Sequence, residues 1–331
     1  MRVAALVGVL GALSATAGVA DAADTQLSPN ATATNLSAFG GDLVYSRQIG
    51  PAEWHLVARV NGVNGDLTIA PSAQPFDADL GPGPSGGVVA VYQRCPGANT
   101  SVCPLFEIAL GGGTEKRIAA SVPAHCRPGQ PAVAGSVIVL GLYCGSHGTR
   151  LVRVVGGRLR TLAGFPKLSR IAGTDIAGKR IAVTTDAGLA HKLAVVPVGG
   201  GSPRTVFVDN DDGGTDFNLR SPSIDGGWIT FAQLAISDTG HDDQAFRLRA
   251  DARNVKTNWQ TDRRVFADFP PQPPPPATSK LVNVLGELDS VAVDKGKLFY
   301  ALHPPDPPAG MPGVFQATDP PPSFRSGLWS R

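Results

Sequence analysis

A glycine turn followed at once by a short β-branched strand recurs along this chain at a nearly fixed interval. It reads Gly40-Gly41-Asp42-Leu43-Val44-Tyr45, Gly86-Gly87-Val88-Val89-Ala90-Val91, Gly135-Ser136-Val137-Ile138-Val139, Gly178-Lys179-Arg180-Ile181-Ala182-Val183, Gly226-Gly227-Trp228-Ile229-Thr230-Phe231 and Gly296-Lys297-Leu298-Phe299-Tyr300. With Gly41, Gly87, Gly135, Gly178, Gly227 and Gly296 as markers, the steps are 46, 48, 43, 49 and 69. Glycine supplies the positive φ that tight hairpins need. A period of ~40–50 residues holding several strands is the pattern of propeller blades. The prediction is an all-β fold: a six-bladed β-propeller of four-stranded antiparallel blades.

The fourth repeat shows how four strands fit. Leu168 to Ile176 is strand A, Arg180 to Thr184 strand B, Lys192 to Val198 strand C and Arg204 to Val208 strand D. A β-sandwich is the alternative, but its strands need not recur as equal units. The long last step holds an insertion, residues 269–277, with six prolines from Pro270 to Pro276. Proline cannot donate to a strand ladder, so this segment reads as a loop and not a seventh blade. A second Pro-rich loop covers residues 304–312. In the sixth blade Val314 to Ala317 is the expected strand C. Its outermost strand comes either from Phe324 to Trp329 or from Thr25 to Ala31.

The first 22 residues read as an export signal. Arg2 is a short positive region, Val3 to Ala20 is small and apolar, and Ala20-Asp21-Ala22 is a small-x-small cleavage site. Residues 23–331 then form one domain, secreted or periplasmic, with no membrane span in the mature chain and a monomeric state expected. A formal charge of +2 gives no argument for nucleic acid or an acidic membrane as partner.

The stretch Ser221-Pro222-Ser223-Ile224-Asp225-Gly226-Gly227-Trp228-Ile229 resembles the repeat of TolB-like six-bladed propellers. That repeat runs Ser-Pro-Asp-Gly, an apolar strand, a variable loop, a second strand and a Gly-Gly turn. Most repeats here lack the Asp-Gly pair, so the likeness is one of fold. It implies an exported binding or interaction module and carries over no partner.

Strand alternation sorts the remaining residues. The A–B and C–D turns are short and glycine-rich, and lie on one face. The longer B–C loops and D–A links lie on the other, where function on a rigid scaffold collects. Cys95, Cys103, Cys126 and Cys144 all fall on this loop face. An even cysteine count in an exported chain points to disulfides. Cys95–Cys103 and Cys126–Cys144 fit best, since each joins neighbouring strand ends. A metal site of Cys126 with His125 or His147 matches no zinc spacing. Seven carboxylates also fall there, namely Asp209, Asp211, Asp212, Asp216, Asp238, Asp242 and Asp243. They read either as solvated turns or as an oxygen-rich calcium site. His55, His125, His147, His191, His241 and His303 occupy the same face, but blade spacing is expected to keep most of them apart. Arg247 and Arg249 share one side of a strand and read as a solvated outer face.

No complete catalytic motif is present, and no cofactor beyond the calcium alternative is implied. Two functions stay open. One is a non-catalytic binding module whose loop face takes a protein, an envelope polymer or a small ligand. The other is a propeller-type hydrolase or lyase with an acid/base site at the channel mouth, drawing on carboxylates such as Asp175 or Asp216.

Overall fold

The structure is a computed structural model that describes residues 25–28, 33–98, 103–167, 169–187, 190–210, 215–237, 240–256, 263–267, 280–282, 287–303 and 313–316. The described strands form six separate sheets, and the chain is a β-propeller built of four-stranded antiparallel blades. Sheet one runs from its inner strand Ala33–Phe39 through Asp42–Gly50 and Glu53–Val60 to Val63–Asp66. Sheet two runs Asp77–Pro82, Val88–Gln93, Leu105–Ala109 and Lys116–Ile118. Sheet three runs Arg127–Ala134, Val137–Tyr143, Thr149–Val155 and Arg158–Phe165. Sheet four runs Arg170–Ala177, Arg180–Ala187, Ala190–Pro197 and Arg204–Asn210, with Val255–Lys256 added in parallel at its edge. Sheet five runs Thr215–Asp225, Trp228–Ser237, Gly240–Arg249 and Arg263–Ala267, again with a short parallel addition, Lys280–Val282.

Sheet six is assembled from both ends of the chain. Glu287–Asp294, Lys297–His303 and Gly313–Gln316 are followed at the outside by Thr25–Ser28, which pairs antiparallel with Gly313–Gln316. Of the two candidates for that outermost strand, the amino-terminal segment is therefore the one seen here. Both proline-rich loops, residues 269–277 and 304–312, lie outside the described residues, as do residues 1–22. No helix among the described residues is long and apolar enough to cross a membrane.

Each gap between consecutive sheets holds its own apolar cluster. Sheets one and two meet through Val44, Leu56, Leu80 and Tyr92. Sheets four and five meet through Phe207, Phe231 and Phe246, whose rings lie 5.0–5.7 Å apart. The sixth sheet packs back on the first through Ala292, Phe299 and Ala301 against Leu36, Leu43 and Tyr45. Burying a side chain of this size stabilises by about 1.5–3 kcal/mol, so these gaps hold the sheets together.

The inner strands run side by side without sharing a backbone ladder, and two devices let them approach. Glycine is the first. A Cβ at Gly81 would stand 2.0 Å from the Val133 carbonyl oxygen on the next inner strand. One at Gly173 would stand 2.5 Å from Pro222 Cδ, again on the next inner strand. Side-chain stitching is the second. On the turn face, the Asp225 carboxylate accepts the Gly296 N–H at 2.9 Å. Asp294 in turn accepts the N–H groups of Gly40 and Gly41 at 3.0 and 2.8 Å. The Asp of the Ser221–Ile229 repeat match thus clamps the glycine turn of the following sheet.

Arg247 departs from the solvated outer face expected of it. Its guanidinium lies 4.4 Å from the Trp228 ring centroid and is half-buried, while Arg249 stays exposed and pairs with Asp251 at 3.0 Å. Indole faces attract guanidinium groups, and Trp228 is the cross-strand partner of Arg249.

The tight approach at Gly81 predicts a specific weakness. Gly81→Ala is expected to lower the unfolding free energy by about 2–4 kcal/mol, because a methyl group cannot share space with a backbone carbonyl. Urea melts of variant and parent measure this, and an unchanged midpoint would refute the packing described.

Candidate functional site

Five of the six inner strands carry a break in register close to their loop-face half. The breaks fall between Thr34 and Ser37, Pro128 and Pro131, Ile171 and Gly173, Arg220 and Ser223, and Leu288 and Ser290. The inner strand of sheet two, Asp77–Pro82, pairs without a break. Bulges of this kind re-aim side chains and are common beside functional sites. At one of them Asn35 takes φ 53°, a left-handed conformation that asparagine tolerates better than most residues.

These strands bring four polar side chains to the loop-face end of the axis. Asn35 comes from sheet one, Asp77 from sheet two, Arg170 from sheet four and Asp289 from sheet six. The Asn35 amide donates to Asp77 Oδ1 and to the Phe76 carbonyl, each at 3.0 Å. Asp289 Oδ2 accepts from the Thr34 hydroxyl at 2.6 Å and from the Asn35 N–H at 3.0 Å. Asp77, Asp289 and Asn35 are half-buried, and Arg170 is exposed. Burial lifts the Asp77 pKa to about 6, with the Arg170 charge drawing it down and the Asp289 charge pushing it up. Asp77 therefore feels the Arg170 guanidinium and the Asp289 carboxylate, each from another sheet.

A second tier lies deeper along the inner strands. Asp79 is buried, accepts the Ser37 hydroxyl and the Val133 N–H at 2.7 Å each, and so ties sheets one, two and three together. Asp175 accepts the N–H groups of Ile176 and of Ile224 on sheet five at 2.6 Å. Burial, and then the Asp175 charge, raises the Asp79 pKa well above the usual carboxylate range. Burial also raises that of Asp175, to about 6, against the opposing pull of the Ile224 and Ile176 N–H groups. These two groups serve mainly to join blades.

The residues singled out from sequence are placed as follows. Cys95–Cys103 and Cys126–Cys144 are both disulfides, and no described cysteine is free. On the loop-entropy account they contribute about 2.5 and about 3 kcal/mol. His125 and His147 come together beside the second bridge, with ring centroids 4.6 Å apart. The sulfurs of Cys126 and Cys144 are bonded to each other, so the grouping with His125 offers imidazole but no thiolate. His55 stands apart between Asp66 and Glu53 at 3.0 and 3.2 Å, and His191 pairs with Asp186 at 2.9 Å. The side chains of His241 and His303 lie outside the described residues.

Of the seven acidic loop residues, the side chains of Asp209 and Asp243 are described. Asp209 accepts from Gln233 Nε2 on the side of sheet five that faces sheet four. Asp243 is buried on the opposite side and accepts the Leu288 N–H of sheet six at 2.7 Å. Sheet five stands between the two. The side chains of Asp211, Asp212, Asp216, Asp238 and Asp242 lie outside the described residues. Asp175 does lie on an inner strand, but toward its turn-face end and engaged with backbone N–H groups.

Sequence reasoning did not pick out Asn35, Asp77, Arg170 and Asp289. A signal was present: they stand six to ten residues ahead of the markers Gly41, Gly87, Gly178 and Gly296. That is the distance from the start of strand A to the following turn.

No protein-family model matches the chain, and no characterised protein matches it in sequence. Solved structures share its fold. A calcium-binding protein, regucalcin, from Agrobacterium tumefaciens is 12% identical with a TM-score of 0.51, covering 89% of this chain and 92% of its own. A protein of unknown function from Dyadobacter fermentans is 10% identical with a TM-score of 0.50, covering 89% and 96%. A prolyl endopeptidase is 12% identical with a TM-score of 0.47, covering 82% of this chain, which spans only 39% of that enzyme. At such identities the likeness is of fold alone.

The raised carboxylates make stability pH-dependent in a defined sense. An aspartate whose folded pKa exceeds its unfolded value contributes stability that is fully present below about 3.8 and is lost as pH rises through the folded value. For Asp77 that value is about 6. Melting temperature is expected to fall between pH 4 and pH 7, and to fall less in Asp77→Asn, which keeps the acceptor for Asn35. Parallel thermal melts test this, and identical slopes in parent and variant would refute it.

Proposed function

We propose that this chain is an exported, monomeric, TolB-like propeller of six blades that binds a small polar ligand at the loop-face end of its axis. Asn35, Asp77, Arg170 and Asp289 are the contacts, and no chemistry is done on the ligand. One observation carries the reading. Half-buried carboxylates gather with an amide and a guanidinium at the loop-face ends of four different inner strands. Such a constellation offers paired acceptors for hydroxyl or ammonium groups and one fork for an anionic group. Six sheets in series, with the sixth packed on the first, support the blade count. The leader-like first 22 residues and two disulfides support export.

A panel of sugars, amino acids, amines and CaCl2 against the parent, Asp77→Asn, Asp289→Asn and Arg170→Ala tests the reading by thermal shift and calorimetry. At least one compound is expected to stabilise the parent and to lose about tenfold or more in affinity in the variants. No stabilising compound, or one indifferent to all three variants, sinks it. CaCl2 belongs in the panel because of the acidic loops around sheet five, and a flat titration on chelator-treated protein removes that ion.

A second reading rests on Asp77 alone. A carboxyl with a pKa near 6 suits general acid–base work at neutral pH. If the bound compound is converted to product, and Asp77→Asn abolishes turnover while retaining binding, the chain is a hydrolase or lyase. Unchanged compound after long incubation leaves the binding module.

A further inference from the structure

The near-neutral total charge conceals a segregation. Between Glu115 and Asp175 stand nine Lys and Arg side chains and not one carboxylate, while the rest of the chain carries 20 basic against 27 acidic residues. This interval contains the whole of sheet three. Four of its arginines belong to the two outer strands, Arg150 and Arg153 on Thr149–Val155, and Arg158 and Arg160 on Arg158–Phe165.

Register places three of them on one surface. Arg153 lies directly opposite Arg160, and Arg158 is two residues from Arg160 along the same strand. Arg153 is also the cross-strand partner of Val139, whose side chain packs toward sheet four. So Arg153, Arg158 and Arg160 occupy the side of blade three that faces blade four, at its outer margin. Arg158 and Arg160 are exposed. Arg153 Nε is buried without a hydrogen-bond partner among the described residues. Like charges directly opposite on neighbouring strands are destabilising, and a buried donor left unmet costs more. A row of guanidinium groups in an interval free of carboxylates is electrostatically complementary to an anion.

We propose that the outer margin of blade three is a binding surface for an acidic polysaccharide. Planar guanidinium forks match carboxylate and sulfate groups, and a linear row of them suits a hydrated chain that repeats such groups. Single-stranded nucleic acid is the poorer fit, because its binding relies on aromatic platforms. The one large exposed aromatic of this sheet, Tyr143, lies at the loop-face end, away from the row. An anionic membrane is also the poorer fit, since surface helices and patches that enter lipid pair basic with apolar residues. The other exposed large apolar residues among those described, Ile49 and Val63, are both on sheet one. The surface is separate from the axial opening and does not depend on the ligand proposed there.

The test measures binding of the oxidised mature protein to sodium alginate and to heparin at low and at high salt, with pullulan as the neutral control. Binding to at least one polyanion is expected, none to pullulan, and a loss of about tenfold or more on raising the salt. Arg158→Glu and Arg160→Glu are each expected to weaken binding by about tenfold, whereas Lys297→Glu, an exposed reversal on sheet six, leaves it within about twofold. The three variants change net charge equally, and the two arginines are exposed, so thermal melts close to the parent value are expected throughout. Equal losses in all three variants would show an effect of total charge and overturn the proposal. So would absence of binding at low salt, or tighter binding to single-stranded DNA, to an acidic protein such as pepsin, or to phosphatidylglycerol vesicles.

Discussion

The inner strands of neighbouring blades approach closely but share no backbone ladder, and the assembly depends on how that gap is bridged. Backbone N–H groups at these edges need acceptors, because an unmet buried donor is costly. Short side chains on the adjoining strand supply them. Asp79 reaches Val133, Asp175 reaches Ile224, Asp289 reaches Asn35, and Asp225 and Asp294 hold the glycine turns of the sheets that follow. Carboxylates suit this role because they carry two acceptor oxygens: at Asp79 one takes the Ser37 hydroxyl of sheet one and the other the Val133 N–H of sheet three. Hydroxyls add to it, as where Ser223 Oγ accepts the Val293 N–H at 3.0 Å.

This solution has an electrostatic cost that becomes a property of the site. Burial near the axis raises the pKa values of Asp77, Asp79 and Asp175. Where the bridge is complete, as at Asp79 and Asp175, the group is structural. At the loop-face end Asp77 and Asp289 are half-buried, and the charge of the exposed Arg170 acts on Asp77.

Much of the fold was legible in the sequence, and particular residues show why. Gly135, Gly178, Gly226 and Gly296 all take positive φ in the turns they mark, which is a local requirement. The disulfides Cys95–Cys103 and Cys126–Cys144 were legible because each closes a short loop between adjacent strand ends. The site was less legible. Asp77 and Asp289 are 212 residues apart, and their distance to the next glycine marker places each at the start of a strand A without showing that the two meet. The same holds in reverse for Asp209 and Asp243, close in sequence terms but parted by the thickness of a sheet. The charge of blade three was hidden by a sum, since net charge does not record where charges lie.

By itself the sequence determined what is local: the strand and turn period, the face on which the long loops stand, and the cysteine pairing. These follow from glycine φ, from strand alternation and from short loops, none of which needs a distant residue. Tertiary structure decided what depends on closing the ring. It brought Thr25–Ser28 to the edge of the last sheet and gathered Asn35, Asp77, Arg170 and Asp289 at one end of the axis. Those outcomes rest on which inner strand lies beside which, a long-range packing choice that apolar clusters between sheets enforce and local propensity does not encode.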